Sequence, residues 1–156
     1  MTMRSNIKSR GFEVVTKYQQ AGITLPERKT SFSAGYDIMA AEDVSLQPGR
    51  VTIVATGVKA YMPQDEYLGI FMRSGLSINN SLSLINGQGI IDADYYNNPG
   101  NEGHIMIAIY NHGSDGVTVR KGERIAQGIF NKYFTADHDD CNGQSTRMGG
   151  MGSTGK

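Results

Sequence analysis

The 156-residue sequence lacks the features that mark several common classes of protein. Its single cysteine, Cys141, excludes an internal disulfide framework and is typical of a reducing compartment. Basic and acidic residues number 15 each, so there is no general positive field that would bind nucleic acid. No apolar run is long enough to span a bilayer, and residues 1–10 are basic but have no apolar signal-peptide region. We therefore expect one soluble, cytoplasmic domain that binds neither membranes nor nucleic acid.

The order of apolar, β-branched and turn residues along the sequence predicts mostly short strands separated by turns. Alternating or β-branched runs recur between the 20 glycines, as in Val51–Val54, Tyr67–Phe71 and His104–Tyr110. Turn residues lie between them, and Asn86–Gly89 is typical of a hairpin tip. One short helix is expected over Ser74–Asn80, with its first serine as the N-cap. The fold class is therefore all-β, and a barrel or a jelly roll would protect the many strand edges, although spacing does not distinguish the two.

The C-terminal segment Arg147–Lys156 is glycine-rich and basic and has almost no side chain that could pack. Glycine N–H groups, the hydroxyls of Ser153 and Thr154 and the two terminal cations suit a polyphosphate ligand. Gly150–Lys156 matches the start of a Walker A loop, but no Ser or Thr follows the lysine to hold Mg²⁺. A P-loop NTPase is therefore not favoured, and a tail without a role is the alternative to a phosphate-binding one.

The segment Gly89–Tyr95 carries two carboxylates, Asp92 and Asp94, directly after a turn. If the segment is extended, both side chains point to one face, where they could organise a water molecule. Asp92 could act as a general base toward that water, and Tyr95 offers a flat ring for a sugar or a base. By itself the pattern is more often a solvated surface strand, because turns favour Asp.

Further segments carry weaker signals. Arg73–Leu76 places N–H groups and a hydroxyl at a helix N-terminus, which can bind an anion, although a plain helix cap explains it as well. Gly122–Gln127 combines a turn with a strand, and Ala34–Ile38 begins a strand with an acid, Asp37, that could lie near a hydrated metal. Asp137–Cys141 superficially suggests a metal site, but it lacks separated, fixed ligands and we discount it.

In order and spacing, five of these segments closely resemble the five motifs of trimeric dUTP diphosphatases (dUTPases). The motifs are Ala34–Ile38, Arg73–Leu76, Gly89–Tyr95, Gly122–Gln127 and Arg147–Gly155. The resemblance implies a homotrimer of jelly-roll subunits that uses Mg²⁺ to hydrolyse dUTP to dUMP and pyrophosphate. That reaction limits uracil incorporation into DNA and supplies dUMP for dTMP synthesis. It also implies a barrel over residues 1–140 and a flexible arm, residues 141–156, that closes over a neighbouring subunit's active site.

The resemblance assigns a role to each matched residue. Asp92 would orient and deprotonate the attacking water, and Tyr95 would stack under the deoxyribose. Asn86, Gly89 and Ile91 would contact the uracil and the sugar. The phosphates would be bound by Arg73, Ser74, Gly75, Gln127, Arg147, Gly152, Ser153 and Thr154. No side chain would bind Mg²⁺ directly, and Asp37 would lie near its hydration shell.

The sequence departs from the family pattern at two places. Met151 stands where the family usually has a Phe that covers the uracil. An insertion, Asn97–His104, follows the Asp92 segment. We hypothesise that Tyr96 or His104 supplies the missing flat surface, and a solvated Asn/Gly loop is the alternative.

Two other functions remain open from the sequence. A dCTP deaminase of the same fold would need a proton-shuttling acid and a turn that reads cytosine, and the Asp92 segment favours the diphosphatase. A nucleotide-sensing trimer that binds a regulatory protein partner is a second alternative. Intact Asp92, Ser74 and Arg147 argue for catalysis but do not exclude such a partner.

Overall fold

The computed structural model describes residues 8–139 and 147–152. The described part of the chain forms short strands with one helix and two 3-10 turns, Thr16–Tyr18 and Ala93–Tyr95. The strands are β1 (Gly11–Val14), β2 (Tyr36–Met39), β3 (Val44–Leu46), β4 (Val51–Ala55), β5 (Val58–Tyr61), β6 (Glu66–Met72), β7 (Leu82–Leu84), β8 (Gly89–Asp92), β9 (Met106–Asn111), β10 (Val117–Val119) and β11 (Arg124–Lys132), and the helix is α1 (Ser74–Asn80). The all-β prediction is confirmed.

The strands form antiparallel sheets that enclose one main core. The larger sheet has the order β2-β11-β6-β8 and the smaller one β4-β9-β7, while β1 pairs with β5 and β3 with β10. Alternate residues of these strands point inward, as the period of a strand requires. Fully buried side chains from different sheets, among them Ile38, Leu68, Ile109 and Ile125, meet in the core. Within the described residues, no helix is both long and apolar enough to cross a membrane.

The turn at Asn86–Gly89 is present, but the predicted hairpin is wrong. β7 pairs with β9, whereas β8 pairs with β6 in the other sheet. The turn therefore carries the chain from one sheet to the other. Turn residues signal a reversal of direction, but the pairing partners of the flanking strands depend on distant residues.

Two local predictions around the motifs also need correction. Ser74 is the first residue of α1, the N-cap is Arg73, and no side chain caps the helix. The segment Gly89–Tyr95 is extended only as far as Asp92, because a 3-10 turn begins at Ala93. Asp92 and Asp94 therefore do not share a strand face, although one arginine contacts both.

Candidate functional site

A cavity of about 440 Å³ opens where the turn after β7, strand β8 and strand β9 meet. Its walls are largely apolar, with a few polar groups at the rim, as in a small-molecule site. The lining residues are Ile70, Leu84, Ile85, Asn86, Gln88, Gly89, Ile90, Ile91, Asp92, Tyr95, Met106, Ile107, Ala108, Arg147, Gly150 and Met151. All of the sequence-predicted residues for base, sugar and water activation, Asn86, Gly89, Ile91, Tyr95 and Asp92, thus line one cavity.

Asp92 places a carboxylate at the cavity rim as the last residue of β8. Its side chain is 48% exposed, and its Oδ2 accepts a hydrogen bond of 2.5 Å from Nη2 of Arg147. Nε of the same arginine donates to Oδ1 of Asp94 at 2.7 Å. Arg147 therefore bridges the two carboxylates, and its planar group suits such paired acceptors.

Tyr95 forms a fixed wall of the cavity. The residue is 8% exposed, and its hydroxyl donates to the carbonyl oxygen of His104 at 2.8 Å. The same hydroxyl accepts from Nδ2 of Asn101 at 2.7 Å. A buried tyrosine keeps its ring orientation when its hydroxyl is satisfied in this way. The sequence did not single out Asn101, because its role depends on the path of the insertion.

The turn Asn86–Gly89 lies close against β6. The built Cβ of a residue replacing Gly69 would lie 2.6 Å from Nε2 of Gln88, and one replacing Gly89 would lie 3.0 Å from Cβ of Ile70. The neighbour of Gly89 is a buried, branched side chain, so glycine there lets the turn approach the sheet, whereas the flexible end of Gln88 could move away from a side chain at position 69. Gln88 lines the cavity but was missed by the sequence reasoning, because no local pattern distinguishes it from Asn86.

The predicted phosphate-binding residues of the second and fourth motifs form a separate cluster. Asp37, whose side chain is 15% exposed, pairs with Nη1 of Arg124 at 3.0 Å and with Nε of Arg73 at 3.5 Å. Gln127 lies opposite Asp37 and Phe71 in the sheet. Asp37 thus pairs with Arg73, the N-cap residue before Ser74 and Gly75, and with Arg124, the first residue of β11. The sequence did not single out Arg124 as a site residue.

Asp92 and this cluster lie toward opposite ends of β6. Asp92 is opposite Tyr67, whereas Gln127 is opposite Phe71 and Ser74 is further along the chain. Four residues of strand span about 13 Å, and the reacting atoms of a catalytic site must come within about 3–3.5 Å. Within one chain, Asp92 is therefore separated along β6 from Gln127 and Ser74, which were predicted to contact the same triphosphate.

Tyr96 and His104, the two candidates for a replacement lid, do not line the cavity. The Tyr96 hydroxyl donates to Oε2 of Glu13 at 2.7 Å, and this hydrogen bond raises the pKa of Tyr96. Nε2 of His104 accepts from the N–H of Gly57 at 2.9 Å, and burial lowers the pKa of His104. Both side chains are thus held elsewhere.

Met151 lies at the cavity, with 65% of its surface exposed. Gly152 has a φ of 97°, in the left-handed region that glycine adopts readily. Ser153 and Thr154, and the candidate metal segment from Asp140 onward, lie outside the described residues. The arm segment that is described, residues 147–152, contacts the cavity of its own chain.

Comparison with known proteins decides the family. The dUTPase family model matches residues 21–155 of the chain. This chain belongs to the dUTPase family. The deoxyuridine 5'-triphosphate nucleotidohydrolase of Lactococcus lactis subsp. lactis is 50% identical over 149 residues, which cover 96% of this chain and 99% of the relative.

Solved dUTPase structures share the fold. The crystal structure of dUTPase from Streptococcus mutans has a TM-score of 0.77 and 44% identity, and the match covers 81% of this chain and 98% of that one. A mutant of the Staphylococcus bacteriophage 80alpha dUTPase with dUpNHpp has a TM-score of 0.69 and 23% identity, covering 86% and 97%. The phage protein is too distant to indicate more than a common fold.

Proposed function

We propose that this dUTPase-family chain hydrolyses dUTP to dUMP and pyrophosphate. The observation that carries the proposal is that one cavity holds both the Asp92 carboxylate and the Tyr95 ring, beside the turn that includes Asn86. The apolar walls suit the base and the sugar, while the carboxylate lies at the rim, where a phosphate can stay in contact with water. A nearby relative bears the name of the same activity.

Asp92 is the group that activates the water. Its carboxylate accepts a proton from the water as the water oxygen bonds to the α-phosphorus. The bond from that phosphorus to the oxygen bridging to the β-phosphate breaks, and pyrophosphate leaves. An ordinary aspartate is ionised at neutral pH and is a weak base, so holding the water in line contributes more than basicity.

Recognition of the nucleoside comes from the cavity walls. The Tyr95 ring lies under the deoxyribose and leaves no room for a ribose 2'-hydroxyl. Asn86 and the backbone beside Gly89 read the edge of the uracil, and Ile91 packs beside the sugar. A pocket that merely accommodates a methyl group discriminates weakly, so thymine must be rejected by a steric clash.

The phosphates are bound by two basic groups. Arg73, Ser74, Gly75 and Gln127 contact the α- and β-phosphates, and Asp37 supports this group by holding Arg73 at 3.5 Å. Arg147 leaves the carboxylates for the phosphates when the nucleotide binds, because phosphate offers it equally good paired acceptors with more charge. Gly152, Ser153 and Thr154 extend this contact to the γ-phosphate.

Mg²⁺ fits this chain as an ion carried by the nucleotide. Within residues 8–139 and 147–152, no group of three or more His, Cys, Asp or Glu side chains is arranged to hold a metal. Triphosphate oxygens and water are ligands that Mg²⁺ prefers, and the bound ion would neutralise charge on the pyrophosphate. The Asp37 carboxylate pairs with two arginines here, which limits it to an indirect role near the ion.

A homotrimer would bring together the two groups of residues that one chain separates. The outer face of the β4-β9-β7 sheet supports such an assembly, since Val51 and Ile53 are each 46% exposed. Val51 lies opposite Tyr110 and Ile53 opposite Ala108, so the apolar face is continuous across two strands. Apolar faces of this kind mark subunit contacts.

In such a trimer, the arm of one subunit would close the site of another. The described arm segment could make the same contacts with a neighbouring subunit. Its Arg147 bonds to Asp92 and Asp94 beside the cavity, and these hydrogen bonds do not involve β11, the strand before the arm. A cytoplasmic location and a regulatory protein partner stay predictions.

The direct test is Asp92→Asn. The variant should bind dUTP but lose nearly all hydrolysis, because the amide cannot accept the water's proton. Equal loss of binding and hydrolysis would assign Asp92 a structural role. Incubation of the wild-type protein with dUTP and with dCTP distinguishes the alternative chemistry, since release of ammonia from dCTP would indicate a deaminase and pyrophosphate from dUTP the proposed enzyme.

A further inference from the structure

The insertion loop, residues 97–104, is held together by hydrogen bonds of its own side chains. Asn98 is 5% exposed, and its amide donates to the Tyr95 carbonyl oxygen at 2.7 Å and to Oδ1 of Asn101 at 2.8 Å. Its Oδ1 accepts from the N–H groups of Gly100 and Asn101, both at 3.0 Å. The alternative of a merely solvated Asn/Gly loop does not describe this arrangement.

The other end of the loop is fixed to the barrel. Glu102 pairs with Nζ of Lys59 at 2.7 Å, and Lys59 is 7% exposed. The Glu102 carboxylate also accepts from the backbone N–H and the hydroxyl of Thr16, both at 3.0 Å. The hydrogen bond from Lys59, followed by those from Thr16, lowers the pKa of Glu102. The loop is therefore a rigid support rather than a mobile one.

The arm segment lies directly on this support. A Cβ atom built on Gly100 would overlap the carbonyl oxygen of Met148 and would lie 3.1 Å from its carbonyl carbon and 3.3 Å from Cα of Gly149. Gly100 is absent from the glycines with positive φ. Its backbone conformation therefore does not require glycine, whereas the space taken by the arm does.

A second glycine contact lies beside the first. A Cβ atom on Gly150 would lie 2.8 Å from Cε2 of Tyr95 and 2.9 Å from its hydroxyl oxygen. The arm backbone therefore passes over the loop at Gly100 and over the Tyr95 ring at Gly150. This path brings Arg147 to Asp92 and Met151 to the cavity.

We propose that the insertion loop is the seat of the C-terminal arm, and that Gly100 is a positioning residue for catalysis because it admits the arm backbone. The seat is built from residues beside the cavity, so it serves an arm from the same chain or from a neighbouring subunit. The proposal rests on the proposed function for its effect on catalysis, but the contact itself does not depend on the substrate.

The test is Gly100→Ala with Gly116→Ala as a matched control. Gly116 lies in an exposed turn, has no positive φ, and a Cβ there would have its nearest contact at 3.6 Å, an ordinary distance. We expect Gly100→Ala to lower kcat/KM for dUTP roughly 10- to 100-fold, as a misplaced catalytic contact does, with an unchanged melting temperature. The control should behave as the wild type.

Two further measurements distinguish displacement of the arm from distortion of the cavity. Amide hydrogen exchange of residues 147–152 should be faster in Gly100→Ala than in the wild type, in the free protein and with a nonhydrolysable dUTP analogue. The dissociation constant should rise more for the nonhydrolysable dUTP analogue than for dUMP, because dUMP has no γ-phosphate for the arm to contact.

Wild-type values of kcat/KM and of arm exchange in Gly100→Ala would overturn the seat proposal. So would an equal loss of affinity for dUMP and for the dUTP analogue, which would mean that the substitution distorts the cavity itself. If the wild-type protein failed to hydrolyse dUTP, the proposed function would fall instead, and the exchange comparison on the free proteins would still decide whether the loop seats the arm.

Discussion

Removal of the Asn98 side chain should destabilise the protein and disturb the cavity together. In Asn98→Ala, the N–H groups of Gly100 and Asn101 lose the oxygen that accepts from them at 3.0 Å. The Tyr95 carbonyl loses the amide donor but keeps the backbone N–H of residue 98, at 3.3 Å. Each buried group left without a partner costs about 1–3 kcal/mol, and partial exposure of the loop reduces that cost.

Summed over these groups, we expect the free energy of unfolding to fall by about 2–4 kcal/mol. The assay is urea unfolding at one fixed protomer concentration, because the stability of an oligomer depends on concentration. Asn131→Ala is the control, since its amide makes one local hydrogen bond, to the carbonyl of Ile129 at 2.8 Å. That substitution should cost about 0.5–1.5 kcal/mol.

A loss in Asn98→Ala no greater than in Asn131→Ala would refute the idea that the insertion loop is fixed by its buried asparagine. The urea dependence, m, should be unchanged in both variants, so that the shift in midpoint reports stability alone. We also expect kcat/KM for dUTP to fall in Asn98→Ala, because Tyr95 loses part of its support.

Three further predictions concern the lid, the phosphate cluster and acid stability. Met151→Phe should lower KM for dUTP about 2- to 10-fold, because an aromatic ring stacks on the base, and an unchanged KM would place Met151 away from the bound uracil. Asp37→Asn should raise KM for dUTP with little effect on the binding of deoxyuridine, which has no phosphate, because Arg73 loses its anchor at 3.5 Å; unchanged dUTP kinetics would contradict this role. Arg10 lowers the pKa of Glu66 through hydrogen bonds of 2.6 and 2.8 Å, so the pair stabilises the fold above the unfolded pKa of about 4.3, and this contribution is lost as the pH falls through the folded value. Glu66→Gln should therefore lower the melting temperature at pH 7 and reduce its dependence on pH in the acid range, and a wild-type dependence would exclude the pair as a source of acid sensitivity.

Local patterns in the sequence predict the strands and the position of the short helix well. The helix spans Ser74–Asn80 as predicted, and the turn at Asn86–Gly89 is where the glycines indicate. The pairing of β7 and β8 with different sheets was not predictable, because it depends on residues about 20 to 30 positions away, in β9 and β6. Turn chemistry carries no information about that choice.

In the site, too, contacts between residues close in sequence were predicted, and contacts between distant residues were not. Asp92 and Tyr95 are close in sequence and line one cavity, as their segment indicates. The ion pairs of Asp37 come from arginines 36 and 87 positions later, so the sequence suggested a free acid near a metal. Gly100 looks like an ordinary loop glycine until the path of the arm over it is known.

The central claim is that each active site needs residues from different subunits. Asp92→Asn and Ser74→Ala homotrimers should each be inactive, and unfolding them together and refolding the equal mixture should restore activity. Each proposed site takes Asp92 from one chain and Ser74 from another. The Ser74→Ala chain still has Asp92, and the Asp92→Asn chain still has Ser74, so a site that takes each residue from the chain that retains it is intact. Random assembly of three subunits makes about one quarter of the sites intact, so the mixture should regain about 25% of wild-type dUTP hydrolysis. If correctly assembled mixed trimers stayed inactive, the shared site would be contradicted. Asp92 and Ser74 would then act on the nucleotide from the same chain.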